Sequence, residues 1–273
     1  MIKSIRYVLK ENFNNLYRIY SISKYELVSD MRDSRLGIFW NFANPIIQII
    51  TYYFVFGLIL SRGDVKMHGV VYPFIDWMLA GMVVWFFISP CITQGCNAIF
   101  SKVNVITKMK FPVSILPATV VLKELFNHMI IMGILFAFYI YRGIMPSLHW
   151  LGLLYYCFAA VIFAISLSMV TSVLNMLARD TRKLILACMR LLLYITPILW
   201  PIAKADDFGW VKIIMKINPI YYIVCGYRDC FLYHNGFSFY WKQALCFWVI
   251  TAFLFMVGSW MMYKFKHKFI DLI

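Results

Sequence analysis

The sequence predicts an all-α integral membrane protein with six transmembrane helices, a cytoplasmic N-terminal amphipathic helix and a re-entrant helical pair between spans five and six. The composition is the first reason: 63% of the 273 residues are apolar and only 14% are charged, whereas a soluble chain carries about 25% charge. The second reason is a set of stretches that approach the roughly 20 apolar residues needed to cross a bilayer. They cover residues 38–60, 73–99, 113–141, 150–177, 184–203 and 241–263.

The distribution of Lys and Arg predicts that both termini are cytoplasmic, because cytoplasmic loops are enriched in these residues. Under this orientation sixteen lie in inner segments: Lys3, Arg6, Lys10, Arg18, Lys24, Arg32, Arg35, Lys102, Lys108, Lys110, Arg179, Arg182, Lys183, Lys264, Lys266 and Lys268. Eight lie in outer segments: Arg62, Lys66, Arg142, Lys204, Lys212, Lys216, Arg228 and Lys242. The net charge of +14 is therefore attributed to the membrane and not to nucleic acid, since the basic residues are spread between the spans.

We expect one membrane domain over residues 1–273, divided into an interface helix (1–35), a six-span region (36–263) and a cytoplasmic tail (264–273). Residues 3–20 alternate apolar and basic side chains at helical spacing, which predicts a helix lying along the inner membrane surface. Such a helix is either a lipid anchor or a docking surface for a cytoplasmic partner. The N-terminus has no uninterrupted apolar core and no small-residue cleavage site, so it does not resemble a cleavable signal peptide.

The first span is unusual because it contains Asn41, Asn44, Pro45 and Gln48. Amides in hydrocarbon must be hydrogen-bonded by neighbouring helices, or they must line a pathway for a polar substance. In the second span Asp76 lies near the outer interface, and Trp77 and Trp85 are read first as membrane anchors and second as substrate contacts.

The third span contains Lys123, Glu124 and His128, and a charge at the bilayer centre costs at least ~2.5 to 3.5 kcal/mol. Glu124 and His128 are four residues apart on one helix face, so we expect them to form an internal pair while Lys123 points elsewhere. A packing role or a place in the wall of a polar pathway is favoured over a proton relay, because no second ionisable span accompanies the pair.

Two short basic loops, 101–111 and 178–183, are too small to be catalytic domains. They serve either as topology signals or as contacts for a cytoplasmic motor. Residues 208–235 are interrupted by charges and Pro219, and one spanning helix here would place the basic tail outside. Two short helices that enter the outer leaflet and return would instead keep the basic tail inside. Such broken helices are tolerated at membrane depth when protein covers them.

The sequence lacks a GxxxxGK[ST] phosphate loop, HExxH, GxSxG and any metal-type cluster of His and Cys. We therefore expect no catalytic residues, no metal and no cofactor on this chain. Asp206 and Asp207 are read first as a solvated turn. The seven cysteines show no disulfide pattern, and Cys225 and Cys230 are expected to be packing residues.

Several segments occur in an order that resembles a known family: SRLGIFWNFANP at the first span, KMKFPVSILP after the first basic loop, RDTR after span four, TPILWP, and NPIYYIVCGYRDCFLY. This order resembles the ABC transporter type-2 permeases that export bacterial surface polysaccharides. Within that family, YPFIDWMLAGMVVWFF and the spacing of TPILWP to NPIYYIVCGYR look most like the teichoic acid translocation permeases.

The resemblance implies a multi-pass permease of the bacterial plasma membrane that pairs with a second copy of itself and with two copies of a separate ATPase subunit, which binds ATP and Mg. Its substrate would be a polymer on a polyprenyl diphosphate lipid. The residues expected to couple to the ATPase are Arg6, Lys10, Lys102, Asn104, Lys108, Arg179 and Asp180. Those expected to line or brace the translocation pathway are Asn41, Asn44, Gln48, Tyr52, Trp85, Glu124 and His128.

Other interpretations remain open on the sequence. One is the same mechanism with another cargo, such as O-antigen or capsule. Another is a membrane enzyme acting on polyprenyl lipids, with Asp206 and Asp207 or the pair of Glu124 and His128 as its acids. A third is a scaffold with no transport role.

Overall fold

The computed structural model describes residues 1–32, 39–61, 63–67, 69–106, 111–205, 208–236 and 240–266. Its helices are α1 (Ile2–Asn14), α2 (Leu16–Arg32), α3 (Phe39–Tyr52), α4 (Phe74–Gly95), α5 (Val103–Ile106), α6 (Leu116–Tyr141), α7 (Gly152–Leu177), α8 (Asp180–Ile195), α9 (Gly209–Ile217), α10 (Pro219–Arg228) and α11 (Trp241–Phe265). Short π-helical turns extend α3 to Ile59 and α10 to Tyr233.

Five of the six predicted spans are confirmed as helices long and apolar enough to cross a membrane. Together with their 3₁₀ or π-helical extensions they are Phe39–Ile59, Phe74–Gly95, Val113–Tyr141, Leu148–Leu177 and Trp241–Phe265. At about 1.5 Å per residue, each is long enough for a hydrocarbon core of about 30 Å. The chain is thus an integral membrane protein.

The fifth predicted span, 184–203, is helical only over its first part. α8 has 16 residues and ends at Ile195, after which Thr196 is extended with ψ 136°. The two prolines, Pro197 and Pro201, explain this end: residues before proline avoid helical dihedrals, and proline itself donates no backbone hydrogen bond. At about 24 Å, α8 alone is shorter than the hydrocarbon core.

The predicted all-α fold class is confirmed, and the described residues add one short hairpin between the first two spans. Strand β1 (Val65–Met67) pairs antiparallel with β2 (Val70–Tyr72), and the register joins Val65 to Tyr72. The β-branched valines favour an extended backbone, and Gly69 has the positive φ of 79° that the tight turn requires. The loop between the first two spans is therefore a small hairpin.

The single surface helix predicted over residues 3–20 is in fact two helices. Asn15 separates α1 from α2 with φ −118° and ψ 23°, which is not helical. α1 packs against α11, and the Tyr7 and Tyr263 rings are 5.5 Å apart. α2 packs along α6, so the N-terminal region is joined to the spans at two places.

The bundle has two ends, defined by contacts. We call the first the basic end: it gathers α1, the last turns of α4, α7 and α11, and the starts of α6 and α8. We call the second the hairpin end: it gathers β1 and β2, the start of α4, the last turn of α6 and the end of α10. Met1 and Lys266 both lie at the basic end, and the tail 267–273 lies outside the described residues.

The packed core is centred on α4, which contacts α6, α7, α8 and α10. The predicted pair of short helices between spans five and six is present as α9 and α10, and every residue from Ile220 to Leu232 is buried. By contrast, only 6% of the most apolar stretch of Phe39–Ile59 is buried. The first span therefore lies outside this core.

Candidate functional site

The residues predicted to contact an ATPase lie together at the basic end, with one exception. Arg6 and Lys10 are exposed on α1, and Asn104 is exposed on α5. Arg179 and Asp180, where α7 passes into α8, are exposed as well. Lys108 lies outside the described residues.

The orientation of α1 follows from its apolar face. Val8 is buried in a cluster with Met261 and Met262 of α11, and Ser4 is also buried. The Tyr7 hydroxyl donates to Glu11 Oε1 at 2.8 Å, and burial together with the Glu11 carboxylate raises the pKa of Tyr7 above its ordinary value. These contacts leave Arg6 and Lys10 on the outward face.

The loops at the basic end are fastened to each other. Lys102 Nζ is 2.6 Å from Glu26 Oε1, which joins α2 to the segment after α4. The Arg179 guanidinium lies 5.3 Å from the centre of the Phe100 ring, a cation–π contact. These two contacts join α2, and the junction of α7 and α8, to the segment that follows α4.

Lys123 is a buried cation at the centre of a polar cluster that also includes the exposed Asp30. Its ammonium is 2.7 Å from Asp30 Oδ2, 3.1 Å from Gln94 Oε1 and 3.7 Å from Glu124 Oε1. Two carboxylates and an amide surround one cation, which offsets the cost of burying it. The cluster links α2, α4 and α6.

The predicted pair of Glu124 and His128 is wrong. Glu124 Oε2 accepts from Asn127 Nδ2 at 3.3 Å, and Asn127 Oδ1 accepts from Asn41 of α3, also at 3.3 Å. His128 Nε2 is instead 2.9 Å from the Tyr227 hydroxyl of α10. The nearby Lys123 draws Glu124 away, and the prediction failed because it placed Lys123 elsewhere.

The predicted pathway residues fall into two groups. Asn44 and Gln48 are exposed on the first span, and Tyr52 is partly buried there. Trp85, Glu124 and His128 are buried inside the bundle, with exposures of 5%, 6% and 1%. Asn41 is the hydrogen-bonded link between the two groups, through Asn127.

The sequence reasoning missed Arg228, which it counted as an outer-loop charge. Its side chain is 3% exposed, and the guanidinium carbon lies 3.5 Å from the centre of the Trp77 ring. Nε, Nη1 and Nη2 donate to the carbonyl oxygens of Trp77, Pro197 and Ile198. Arg228 therefore joins α10, α4 and the irregular segment after α8; the available signal was an arginine inside an otherwise apolar and aromatic run.

Two acidic residues at the hairpin end are also structural. Asp76 Oδ2 is 3.2 Å from Arg142 Nη2, which fastens the end of α6 to the start of α4. Asp229 Oδ1 accepts from the backbone N and the Nδ2 of Asn235, and its Oδ2 accepts from the backbone N of Gly236, each at 3.0 Å. Asp229 thus holds the turn that follows α10.

The described residues contain no group of three or more His, Cys, Asp or Glu side chains that could hold a metal ion. All seven cysteines are free, so Cys225 and Cys230 are not joined to each other. Asp206 and Asp207, the acids of the enzyme hypothesis, lie outside the described residues.

A scan against protein-family models matches residues 17–232 to the description "ABC-2 type transporter". This match covers most of the chain. The chain belongs to the ABC-2 type transporter family.

Curated relatives of this ABC-2 permease agree with the assignment. The O-antigen export system permease protein RfbA of Klebsiella pneumoniae is 26% identical over 269 residues, covering 97% of this chain and 98% of the relative. The protein of the same name from Myxococcus xanthus is 24% identical over 217 residues, covering 80% of this chain and 81% of the relative.

Membership of this family decides between the classes left open by the sequence. The chain is a transporter subunit, and its ABC-2 membrane domain carries no ATPase site, in agreement with the missing phosphate loop. ABC-2 permeases work with a nucleotide-binding ATPase subunit. A membrane enzyme and a passive scaffold are not supported.

Proposed function

We propose that this ABC-2 permease moves a lipid-linked cell-surface polysaccharide, of the O-antigen class, across the bacterial plasma membrane. The observation that carries the proposal is the nearly full-length match to permeases named for O-antigen export. The expectation of teichoic acid rested on short segments, and the relatives favour the alternative cargo. Both polymers would use the same mechanism with a polyprenyl diphosphate carrier.

The proposed topology has six crossings with both termini cytoplasmic. Five crossings are the long apolar helices. The fifth along the chain would be α8 with the irregular segment that follows it: α8 starts at the basic end beside Arg179, and the Pro197 and Ile198 carbonyls meet Arg228 at the hairpin end. The basic end is then cytoplasmic, in agreement with the positive-inside rule.

The ATPase would dock on the basic end. Arg6, Lys10 and Arg179 are exposed there, and Lys102 is fastened to Glu26 beneath them. Nucleotide-driven closure of two ATPase subunits would move this fastened surface as a rigid body. The exposed apolar side chains of Leu9 and Phe13 on α1 and of Leu16 on α2 would lie against the lipid head groups.

The first span supports a homodimer. Its exposed face contains apolar residues, which lipid would satisfy, but also Asn44 and Gln48, which lipid would not. A second copy of the chain meeting this face would enclose the amides between two protomers, and a head group could pass beside them. The other predicted pathway residues would then support the wall of this passage from behind and not form its surface. They are Asn41, Tyr52 and the buried Trp85, Glu124 and His128.

The test reconstitutes the permease with its cognate ATPase in nanodiscs and measures ATP hydrolysis with two purified substrates. Lipid-linked O-polysaccharide should stimulate turnover, and lipid-linked teichoic acid should have little effect. If the complex hydrolyses ATP but neither substrate stimulates the turnover, the proposal that the cargo is a lipid-linked polysaccharide is contradicted. Stimulation by teichoic acid alone would restore the first expectation.

A further inference from the structure

A cavity of about 180 Å³ lies at the hairpin end, where α4, α9, α10 and α11 meet. The residues that matter for its chemistry are Trp77, Lys216 and Arg228. Lys216 and Arg228 are positively charged. None of the described residues that line the cavity is an Asp or a Glu.

Arg228 gives this cavity a buried charge without a counterion among the described residues. Its guanidinium is held by three carbonyl oxygens and the Trp77 ring, and no described carboxylate lies within ion-pair distance of it. The neighbouring Asp229 uses both oxygens on Asn235 and Gly236. Carbonyl dipoles orient the guanidinium but do not neutralise it, and burying an unneutralised charge is costly.

The position of Arg228 depends on a glycine. A Cβ on Gly81 would be 2.6 Å from Arg228 Nη2, so only the missing side chain lets the guanidinium lie against α4. A guanidinium has five N–H donors, and the carbonyl contacts occupy three of them. Capacity to bind an oxyanion remains on Arg228 after its structural bonds are made.

Lys216 of α9 adds an exposed cation to the cavity lining. Within the described chain its ammonium also has no carboxylate at ion-pair distance. The Arg228 guanidinium and the Lys216 ammonium line one small cavity and provide the charge-assisted donors that phosphate oxygens accept. An uncharged ligand would leave the buried charge uncompensated.

We propose that this cavity is a phosphate-binding site, with Arg228 at its base and Lys216 at its rim. The inference deepens the proposed function, since in that topology the site faces the outer side of the membrane and the diphosphate of an exported lipid-linked polymer is one source of such a ligand. Free phosphate or pyrophosphate is the other source of the same chemistry.

The first experiment measures equilibrium binding of radiolabelled inorganic pyrophosphate to the full-length permease in nanodiscs, without the ATPase so that no nucleotide site contributes. Saturable binding should weaken about tenfold in Lys216→Gln, the loss expected for one charge-assisted contact. Lys242→Gln, an exposed lysine of α11 outside the cavity, is the matched control and should bind like the wild type. Equal binding by both variants, or full competition by chloride at equal ionic strength, overturns the site.

Because Arg228 also holds the fold together, Lys216→Glu serves as the second variant. It should abolish binding while leaving thermal stability unchanged, and retained binding would overturn the proposal. If polyprenyl diphosphate in the nanodisc competes with pyrophosphate, the exported lipid is the ligand of the site. If it does not compete, the ligand is free phosphate or pyrophosphate and not the lipid. The complex with the ATPase could also bind pyrophosphate through Lys216 and yet fail to export polysaccharide. That result would support the phosphate site and refute the proposed function.

Discussion

The first two spans are alike in length and mean hydropathy, but one lies outside the packed core and the other lies at its centre. Phe39–Ile59 has 21 residues and Phe74–Gly95 has 22, with nearly the same mean hydropathy. In their most apolar stretches, 6% of the first is buried and 78% of the second. Hydropathy therefore identifies a segment that the bilayer accepts, but it does not say whether lipid, a second copy or the same chain covers it.

The reasons for the difference are local. The second span presents Gly81 and Gly95 where other elements approach most closely, and these glycines allow Arg228 and Ser168 to contact its backbone. The first span presents exposed Ile47, Ile50 and Phe54 together with the exposed amides of Asn44 and Gln48. Small residues favour close packing of helices in a membrane, whereas bulky ones spaced by amides suit a separate interface.

The largest expected effect comes from Arg228→Met, which removes the side-chain donor of the buried Pro197 and Ile198 carbonyls and a second donor of the Trp77 carbonyl in α4. The loss of stability should be about 3 kcal/mol, since each buried unpaired group costs about 1 to 3 kcal/mol and relief of the buried charge offsets part of the total. Thermal unfolding in detergent, followed by loss of the monodisperse gel-filtration peak, measures it. Arg190→Met, on the exposed face of α8, is the control and should change little.

The next effect comes from overfilling the contact between the second and fourth spans. A Cβ on Gly95 would lie 2.2 Å from Ser168 Oγ, so Gly95→Leu must separate α4 from α7 at a cost of about 2 to 3 kcal/mol. The matched control is Gly133→Leu on α6, where a Cβ meets nothing within 4 Å. The same thermal assay applies, and equal midpoints for the two variants would contradict the packing argument.

A smaller effect is expected where the first span does contact the rest of its own chain. Asn41→Leu removes the 3.3 Å hydrogen bond to Asn127, and interhelical hydrogen bonds in membranes contribute about 0.6 kcal/mol. Asn44→Leu, which removes an exposed amide, should leave the unfolding midpoint unchanged and reduce export instead. A larger stability loss in Asn44→Leu than in Asn41→Leu would show that the first span packs differently.

The smallest effect on stability is expected on the exposed face of the first span. Ile47→Cys should change the free energy of unfolding by no more than about 0.5 kcal/mol. It should nevertheless give a disulfide-linked dimer in oxidised native membranes if two copies meet at this face. Phe253→Cys on the exposed face of α11 is the control. Equal cross-linking at both positions, or none at Ile47→Cys, would contradict the proposed homodimer.

The sequence predicted the positions of five spans well, because a single physical requirement sets where a membrane helix forms. Five apolar stretches matched helices to within a few residues, because every backbone polar group in hydrocarbon must be bonded within its own helix. The break after α8 was foreseeable at Pro197, but the predicted span still ran to residue 203 because its apolar composition continues. The pairing of Glu124 failed because spacing on one helix says nothing about Asp30, which comes from another.

By itself the sequence determined that this is a multi-pass membrane protein and that it lacks a GxxxxGK[ST] phosphate loop, since hydropathy, charge distribution and short motifs are properties of single segments. Only the tertiary structure decided that the first span stays outside the core, that Arg228 lies beneath Trp77, and that Asn44 and Glu124 occupy different surroundings. The physical reason is that burial and counterions depend on which distant segments meet. Helices of equal hydropathy acquire different roles from the neighbours that folding gives them.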